Sequence, residues 1–522
     1  MRSTVHVTPT RWAMLLVLLA TVAPAVLVAA MATGLPWGVA VLITAIASVV
    51  AGRAAAPLLP ANVMGSRMSR TALLLLWMAL GLFAAYRIAS LSVFMQDVQR
   101  ANYAFGPAIR ELDDPEMAKP FFPEHNCFTC YIVAAHLAST HVDNIYDRKH
   151  YRRAEIKTPI HEQIVDALHV DTYQYPPPFL ILPRLLLATG GDFYQLRAYW
   201  FGVNVIALVA AMVVLFRWIG EPALTVRWLA LPALLASPVT LATLQIQNAH
   251  LLMILISVLA LPAFRRRWYW LGGALLGFAI VSKLFPVLLL AFLLVQRRWR
   301  AVCWTGGWMI AYGVLALLLF GSRPYEAFLS YQMPRLASGE AFSFAWTYIT
   351  ALVKNGSVFG LAYKLEKLGL LSDAASLGRV LVWIYSAVMV VVLLLVGRRR
   401  YNWTGGVDDH ASQAGGRLVL ARVWLALLIL GQLRSPFLPW VYGNVPILLL
   451  LLLLVPIYRE TTARGLKIGL VISAWATVAV IIPLPFGPPA ITVDLIHTLV
   501  ALLVALVCCA VAVWPRPSAA GP

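Results

Sequence analysis

Apolar runs of membrane-crossing length, separated by basic or polar breaks, recur along the chain. The first, about Trp12 to Thr33, follows Arg2 and Arg11. It is longer than the roughly 7–15 residues of a signal-peptide core, which predicts a retained anchor. A second, about Pro36 to Val50, leads to Arg53, Arg67 and Arg70, and a third goes from about Thr71 to Phe94. Many of the runs reach the roughly 20 residues that an α-helix needs to cross about 30 Å of hydrocarbon. Short alternating strands, the mark of a closed barrel, are absent from the pattern.

The longest polar stretch runs from about Met95 to Tyr175. Basic residues mark cytoplasmic loops, so after Phe94 the chain is expected outside. Within this stretch Phe128 to His141 reads as an Ala-rich helix, and Thr158-Pro159 as the N-cap and first turn of another. Ile160, Ile164, Ala167 and Leu168 share one face of that second helix, which suits the membrane interface.

Further runs follow at about Tyr199–Phe216, Trp228–Leu244, Leu251–Phe264, Trp268–Val281, Leu284–Val295 and Val302–Phe320. They place Arg217, Arg227, Arg265–Arg267 and the Arg297, Arg298, Arg300 cluster inside. The pair joined near Lys283 is short, so its turn is expected below the outer membrane surface. Five final runs start near Ala374, Leu418, Gly443, Gly465 and Thr492. Pro178 to Ala188 is apolar but too short to cross comfortably and is read as re-entrant. The fold class is thus all-α, a polytopic transmembrane helical bundle of roughly 12–14 spans. Its expected parts are N-terminal spans (1–94), an extracytoplasmic loop with interfacial helices (95–175), a central bundle (176–320), a second external segment (321–373) and C-terminal spans (374–522).

Composition sharpens this picture. Of 522 residues, 61% are hydrophobic and 12% charged, against roughly 45–50% apolar in soluble domains. The net charge of +19 comes from small groups of Arg and Lys at the ends of apolar runs, so anionic lipid headgroups are expected as partners and nucleic acid is not. Five cysteines make no disulfide framework. Cys303, Cys508 and Cys509 are expected to pack within their runs. Cys127 and Cys130, with His125 and His136 near, have the spacing of a thiol pair or half a metal site. A disulfide between them is the other option in an oxidising compartment.

Polar groups gather on one expected face: the long loop, Tyr173 to Pro178, Gln245 to Asn248, Ser282 to Pro286, Asn355-Gly356-Ser357 and Ser435-Pro436. Buried polar groups in lipid are costly, so a water-accessible site is expected there. Lys283, between Ile280-Val281 and Leu284-Phe285, costs about 2.5–3.5 kcal/mol at mid-bilayer unless held, by a lipid phosphate or by snorkelling to the surface. Gln245, Gln247, Asn248 and His250 are candidates for sugar hydroxyls or for cross-links between helices. Tyr173 and Tyr175 suit an acceptor platform or an interfacial belt. The basic run Arg148 to Arg153 is either a contact for anionic groups or a solvated face.

The order of these motifs resembles glycosyltransferase family 87, the polyprenyl-phosphomannose-dependent enzymes of GT-C type. The resemblance rests on Phe128-Thr129-Cys130-Tyr131 with Ala134-Ala135, Asn144 to Asp147, Tyr175-Pro176-Pro177, Gln247-Asn248, and Gly272 to Gly277 leading to Lys283 and Pro286. Arg297 to Arg300, Asn355-Gly356-Ser357 and Ser435-Pro436 followed by Trp440 complete it. It covers about Cys127 to Pro446. It implies an inverting transfer in which a carboxylate acts as base on the acceptor hydroxyl while the lipid phosphate leaves. Where the family shows an Asp just before the Phe of the first-loop element, this chain has Asn126-Cys127.

Asp97, at the end of the third run, and Glu124 are therefore the candidate catalytic bases. Lys283 is the candidate donor-phosphate contact, and Tyr175, Gln247, Asn248, Asn355 and Ser357 are the candidate substrate contacts. The expected activity is transfer of a hexose, mannose by resemblance, from a polyprenyl-phosphate-sugar to an extracytoplasmic lipid or glycan acceptor. That donor serves as co-substrate, with no tightly bound cofactor, no metal ligand assigned and a divalent requirement left open. The expected location is a bacterial inner (cytoplasmic) membrane with the site facing outward. The alternatives are a transporter or flippase of a lipid-linked or anionic solute and a structural scaffold; no internal repeat of the kind transporters often carry is found.

Overall fold

The computed structural model describes, besides isolated positions near either end, residues 67–96, 126–151, 170–220, 231–399 except 233 and 348, then 401, 403 and 410–460. The first expected span, most of the second, Asp97 to His125, the helix expected at Thr158, and most of the last two runs lie outside the described residues.

The described chain is helical. In order come α1 (Arg67–Gln96), α2 (Phe128–Ser139), α3 (Ile181–Leu187), α4 (Phe193–Ile219), α5 (Pro238–Ile246), α6 (Ala249–Arg265), α7 (Tyr269–Ser282), α8 (Val287–Val295) and α9 (Trp299–Phe320). After short helical turns come α10 (Val358–Lys367), α11 (Ala374–Arg398), α12 (His410–Leu433) and α13 (Val445–Glu460). By length and composition five described helices can cross a membrane, in α1, α4, α9, α11 and α12, or six if the bent pair α5–α6 counts as one span. In lipid every backbone group must be satisfied within the segment, which is why the apolar runs become helices.

Local chemistry sets the ends. Asp192 caps α4 by accepting from Gln195 N at 2.8 Å, and Gly220 closes it at φ 72°, a left-handed geometry that suits glycine. The unit expected to re-enter is a 3-10 turn, Pro177–Leu180, followed by α3. Together they rise roughly 18 Å, well short of the hydrocarbon thickness. α7 and α8 are also short, about 21 and 13 Å by their rise, and their shared turn holds Lys283.

Helix packing explains a motif that sequence order alone had marked. Gly273 and Gly277 face α9, and a Cβ at Gly273 would come within 2.7 Å of the Trp304 backbone. Small residues four apart let two helices approach closely, which matters in lipid because apolar burial gives helices no preference for each other over lipid. α9 itself turns an apolar face outward, with Leu318 77% exposed. Cys303 is exposed on that helix rather than packed as expected, because its side of α9 points away from the bundle.

Two cores result. The larger joins α1, α4, α6, α8, α12 and α13. The smaller is aromatic and wraps α2: Phe128 stacks on Trp200 with centroids 5.7 Å apart, and Tyr131 meets Phe179 edge-on at 4.9 Å. The site lies against this second core.

Candidate functional site

A break in one apolar run builds the site. α5 and α6 are bent by 113° across Gln247-Asn248. Gln247 adopts a left-handed backbone, φ 58°, which is strained for a residue with a side chain. Three bonds to α4 and the α5 end hold it: its carbonyl accepts from Trp200 Nε1 at 3.0 Å, its Nε2 donates to the Arg197 carbonyl at 2.9 Å, and its N–H donates to Thr243 O at 3.2 Å.

The bend leaves Asn248 as the N-cap of α6, where it does more than cap. Its Oδ1 accepts from His250 N at 2.9 Å, from the Tyr175 hydroxyl at 3.2 Å and from Lys283 Nζ at 3.0 Å. Its Nδ2 donates to Cys127 Sγ at 3.2 Å. One amide thus ties four segments together, and every one of these groups is far from it in sequence except His250.

Each neighbour is itself fixed. Tyr175 leads into the three prolines, and its carbonyl accepts from the Tyr146 hydroxyl at 2.9 Å. The hydroxyls of Tyr175 and Tyr131 lie 3.0 Å apart, and Tyr131 accepts from Ala249 N at 2.9 Å. Lys283 ends α7 in an extended conformation. Its Nζ lies 3.4 Å from His250 Nδ1 and 4.9 Å from the centre of the Tyr175 ring, where ring quadrupole and cation attract. His250 stacks on Phe285 at 4.5 Å, and its Nε2 is 2.9 Å from Gln432 Oε1 of α12. Gly431 allows the Phe285 carbonyl to touch α12, since a Cβ there would collide with that oxygen.

The first-loop element docks on the same break. Cys127 N donates to the Ile246 carbonyl at 2.9 Å, and Asn126 Nδ2 donates to Gln245 O at 3.3 Å. Asn126 Oδ1 also caps Phe128 N at 3.0 Å. Asp171 lies near enough for its charge to act on the Cys127 thiol, and its N–H donates to Thr129 Oγ1 at 3.4 Å. Burial, with the nearby Asp171 charge second, pushes the Cys127 thiol well above its ordinary value, so it stays protonated. Cys127 and Cys130 are not disulfide-bonded. Among the described residues no three His, Cys, Asp or Glu side chains gather as a metal set.

The structure therefore brings together Tyr175, Asn248 and Lys283 of the residues proposed from sequence, and adds His250, Tyr131 and Cys127. Gln247 supports the bend, its amide nitrogen cross-linking α4. Asn355 and Ser357 form a separate clamp. Asn355 Oδ1 accepts from Ser357 N and Leu438 N at 3.1 and 3.0 Å, and both side chains donate to Pro436 O. This fixes the segment that follows Gln432. Asp97 and Glu124 lie outside the described residues. In the basic run, Arg148–Tyr151 forms a 3-10 turn in which Lys149 pairs with Asp147 at 3.2 Å.

Sequence reasoning passed over Asp171, Gln432 and Arg197. Gln432 and Arg197 interrupt apolar runs, which is a usable signal. Arg197 is fully buried on α4, its guanidinium 4.6 Å from the Phe94 ring. Asp171 gave no such signal, being one carboxylate among several in a polar stretch.

Comparison with known proteins adds one finding. No curated protein and no solved structure matches the chain. The match to a family begins two residues after Asp171, so it includes Tyr175, Asn248 and Lys283 but neither the Cys127 element nor Ser435-Pro436. Residues 173–414, a little under half of the 522-residue chain, match the model of glycosyltransferase family 87, and with the apolar helices around them this match indicates a membrane glycosyltransferase.

Proposed function

We propose that the protein transfers a hexose, with mannose the first candidate, from a polyprenyl-phosphate-sugar to a lipid or glycan acceptor outside the cytoplasm, with inversion. The reading is of a GT-C type enzyme in a bacterial inner membrane. The observation that carries it is the ammonium of Lys283, held by Asn248 in a turn between two helices too short to cross the bilayer alone.

A cation at that depth is costly unless it serves an anion. A lipid monophosphate enters from the bilayer and gains negative charge as its bond to the sugar breaks, so a fixed cation beside it lowers the barrier. Tyr175, stiffened by the prolines, offers the sugar a ring face, and Asn248 offers an amide. The acceptor hydroxyl needs a base within hydrogen-bond reach. Asp97 and Glu124 are the candidates that sequence alone supplied.

The test uses the full chain reconstituted in lipid vesicles with labelled polyprenyl-phosphate hexoses. Appearance of a new glycosidic bond in an acceptor fraction is the expected result. Movement of the label across the bilayer with no new bond would overturn the reading in favour of a flippase.

A further inference from the structure

One line of hydrogen bonds through the site has a direction that elementary chemistry fixes. A backbone carbonyl can only accept, so the Gln432 nitrogen, 2.6 Å from the Gly443 carbonyl, is its donor. The Gln432 oxygen therefore faces His250, whose Nε2 lies 2.9 Å away and must carry a proton to bond it. On the other side of the ring, His250 Nδ1 lies 3.4 Å from Lys283 Nζ. An ammonium only donates, so Nδ1 is the bare nitrogen that accepts. His250 and Gln432 are 3% and 0% exposed, and polar groups buried this deeply need such partners.

Resting on the transferase reading above, we propose that His250 is a positioning residue, neutral and protonated at Nε2, which aims the Lys283 ammonium at the departing phosphate. Asn248 Oδ1 and His250 Nδ1 take Nζ from two sides, and Asn248 Oδ1 also accepts from His250 N. Lys283, Asn248 and His250 thus form a closed triangle of contacts. A doubly protonated ring would turn a second N–H and a positive charge toward the ammonium, and the aim would be lost.

The triangle is anchored in packed structure. The imidazole stacks on Phe285, which belongs to the same turn as Lys283. The Phe285 carbonyl abuts Gly431, the chain neighbour of Gln432. Gly443 N donates to Pro439 O at 3.0 Å, in the segment that Asn355 and Ser357 clamp at Pro436. The clamp therefore reaches Lys283 through Gly443, Gln432 and His250, which gives Asn355 and Ser357 a part in placing the cation. Such placement matters, because a shift of about 1 Å in a group that meets developing charge can cost on the order of 100-fold in rate.

The test has a spectroscopic and a kinetic arm, both on the full chain in lipid vesicles. Nitrogen NMR of labelled histidines at neutral pH, with the His250 signals identified by their loss in His250→Asn or His250→Gln, is expected to show Nε2 protonated and Nδ1 bare. In the kinetic arm, His250→Phe keeps a ring against Phe285 but offers Lys283 no acceptor. Its kcat should fall roughly 10- to 100-fold, with a smaller change in donor KM because the lysine charge remains. Added to Lys283→Met, the same substitution should cost less than about threefold more in kcat/KM, since it acts through Lys283, whereas independent structural effects multiply. His250→Asn puts an amide oxygen where Nδ1 stood, and should turn over at least about fivefold faster than His250→Gln, whose amide reaches the Nε2 position instead. Should His250→Phe fail to fold, the Asn and Gln variants and the NMR arm decide. A ring protonated at Nδ1 or at both nitrogens, multiplying losses in the Lys283→Met background, or His250→Asn no faster than His250→Gln would each overturn the assignment. Absence of transfer in wild type would reject the transferase reading and the positioning role with it, and the NMR arm separates that failure from a wrong tautomer.

Discussion

Lys283 Nζ donates to Asn248 Oδ1 at 3.0 Å, joining the end of α7 to the residue that caps α6. This bond closes two apolar hairpins around a polar point, and the candidate site follows from it.

Lys283→Met keeps the stem and removes the charge. A hydrogen bond to a charged group contributes about 1.5–3 kcal/mol, so the donor KM should rise roughly 10- to 100-fold. Lys283→Arg should recover part of that loss. Kinetics over a range of donor concentration separate the two variants.

Asn248→Ala removes a helix cap and the shared acceptor of Tyr175, His250 and Lys283 together. The cap alone is worth about 1 kcal/mol, which should lower the unfolding temperature in detergent by a few degrees. Turnover should fall far more than stability does. Asn248→Asp, which keeps the acceptor oxygens, should retain the thermal stability and serves as the control.

Gly431→Ala should disturb the Lys283 turn from a distance. The added methyl meets the Phe285 carbonyl, and backbone cannot yield as a side-chain tip can. The cost expected for overpacking is about 1–3 kcal/mol. Transfer activity should drop in a variant that still purifies as a folded protein, and Gly416→Ala, with open space around it, should do nothing.

Gly273→Leu should separate α7 from α9, because the backbone of Trp304 lies where its side chain would go. Reduced thermal stability is the expected outcome, measured by loss of monodisperse protein on heating. Gly307→Ala on α9 faces open space and should leave stability within about 0.5 kcal/mol.

Cys127 and Cys130 should resist alkylation in the folded protein. Burial is the first cause and the Asp171 charge the second, and both push these thiols above their ordinary value. The reactive thiolate is therefore scarce at neutral pH and appears only as pH rises well above the usual thiol range. Labelling with a soluble maleimide at pH 7 should be slow, and rapid once the protein is denatured.

Much of the fold was legible because lipid forces one answer: α4, α9 and α11 fall where long apolar runs stand. The interruptions were legible too. Gln247-Asn248 and Lys283 are polar residues in apolar surroundings; Asn248 and Lys283 meet at 3.0 Å, while Gln247 holds the bend against α4. The 113° bend was not foreseen, since a left-handed Gln is set by its bonds to Trp200 and Arg197 rather than by its own preference. Asn355 and Ser357 read as substrate contacts, yet their polar atoms clamp the Pro436 segment. Nothing in local sequence tells a polar side chain that faces a cavity from one that bonds a distant backbone. Asp171 was hidden for the same reason, because Thr129, to which its N–H donates, lies 42 residues away in sequence.

The most direct measurement is a structure of the full chain with a non-transferable polyprenyl-phosphate-sugar analogue bound in lipid. The predicted result is a phosphate oxygen within hydrogen-bond reach, about 2.7–3.2 Å, of Lys283 Nζ, with the sugar beside Tyr175. A phosphate bound elsewhere, with Lys283 still on Asn248 and no ligand beside it, would contradict the central claim.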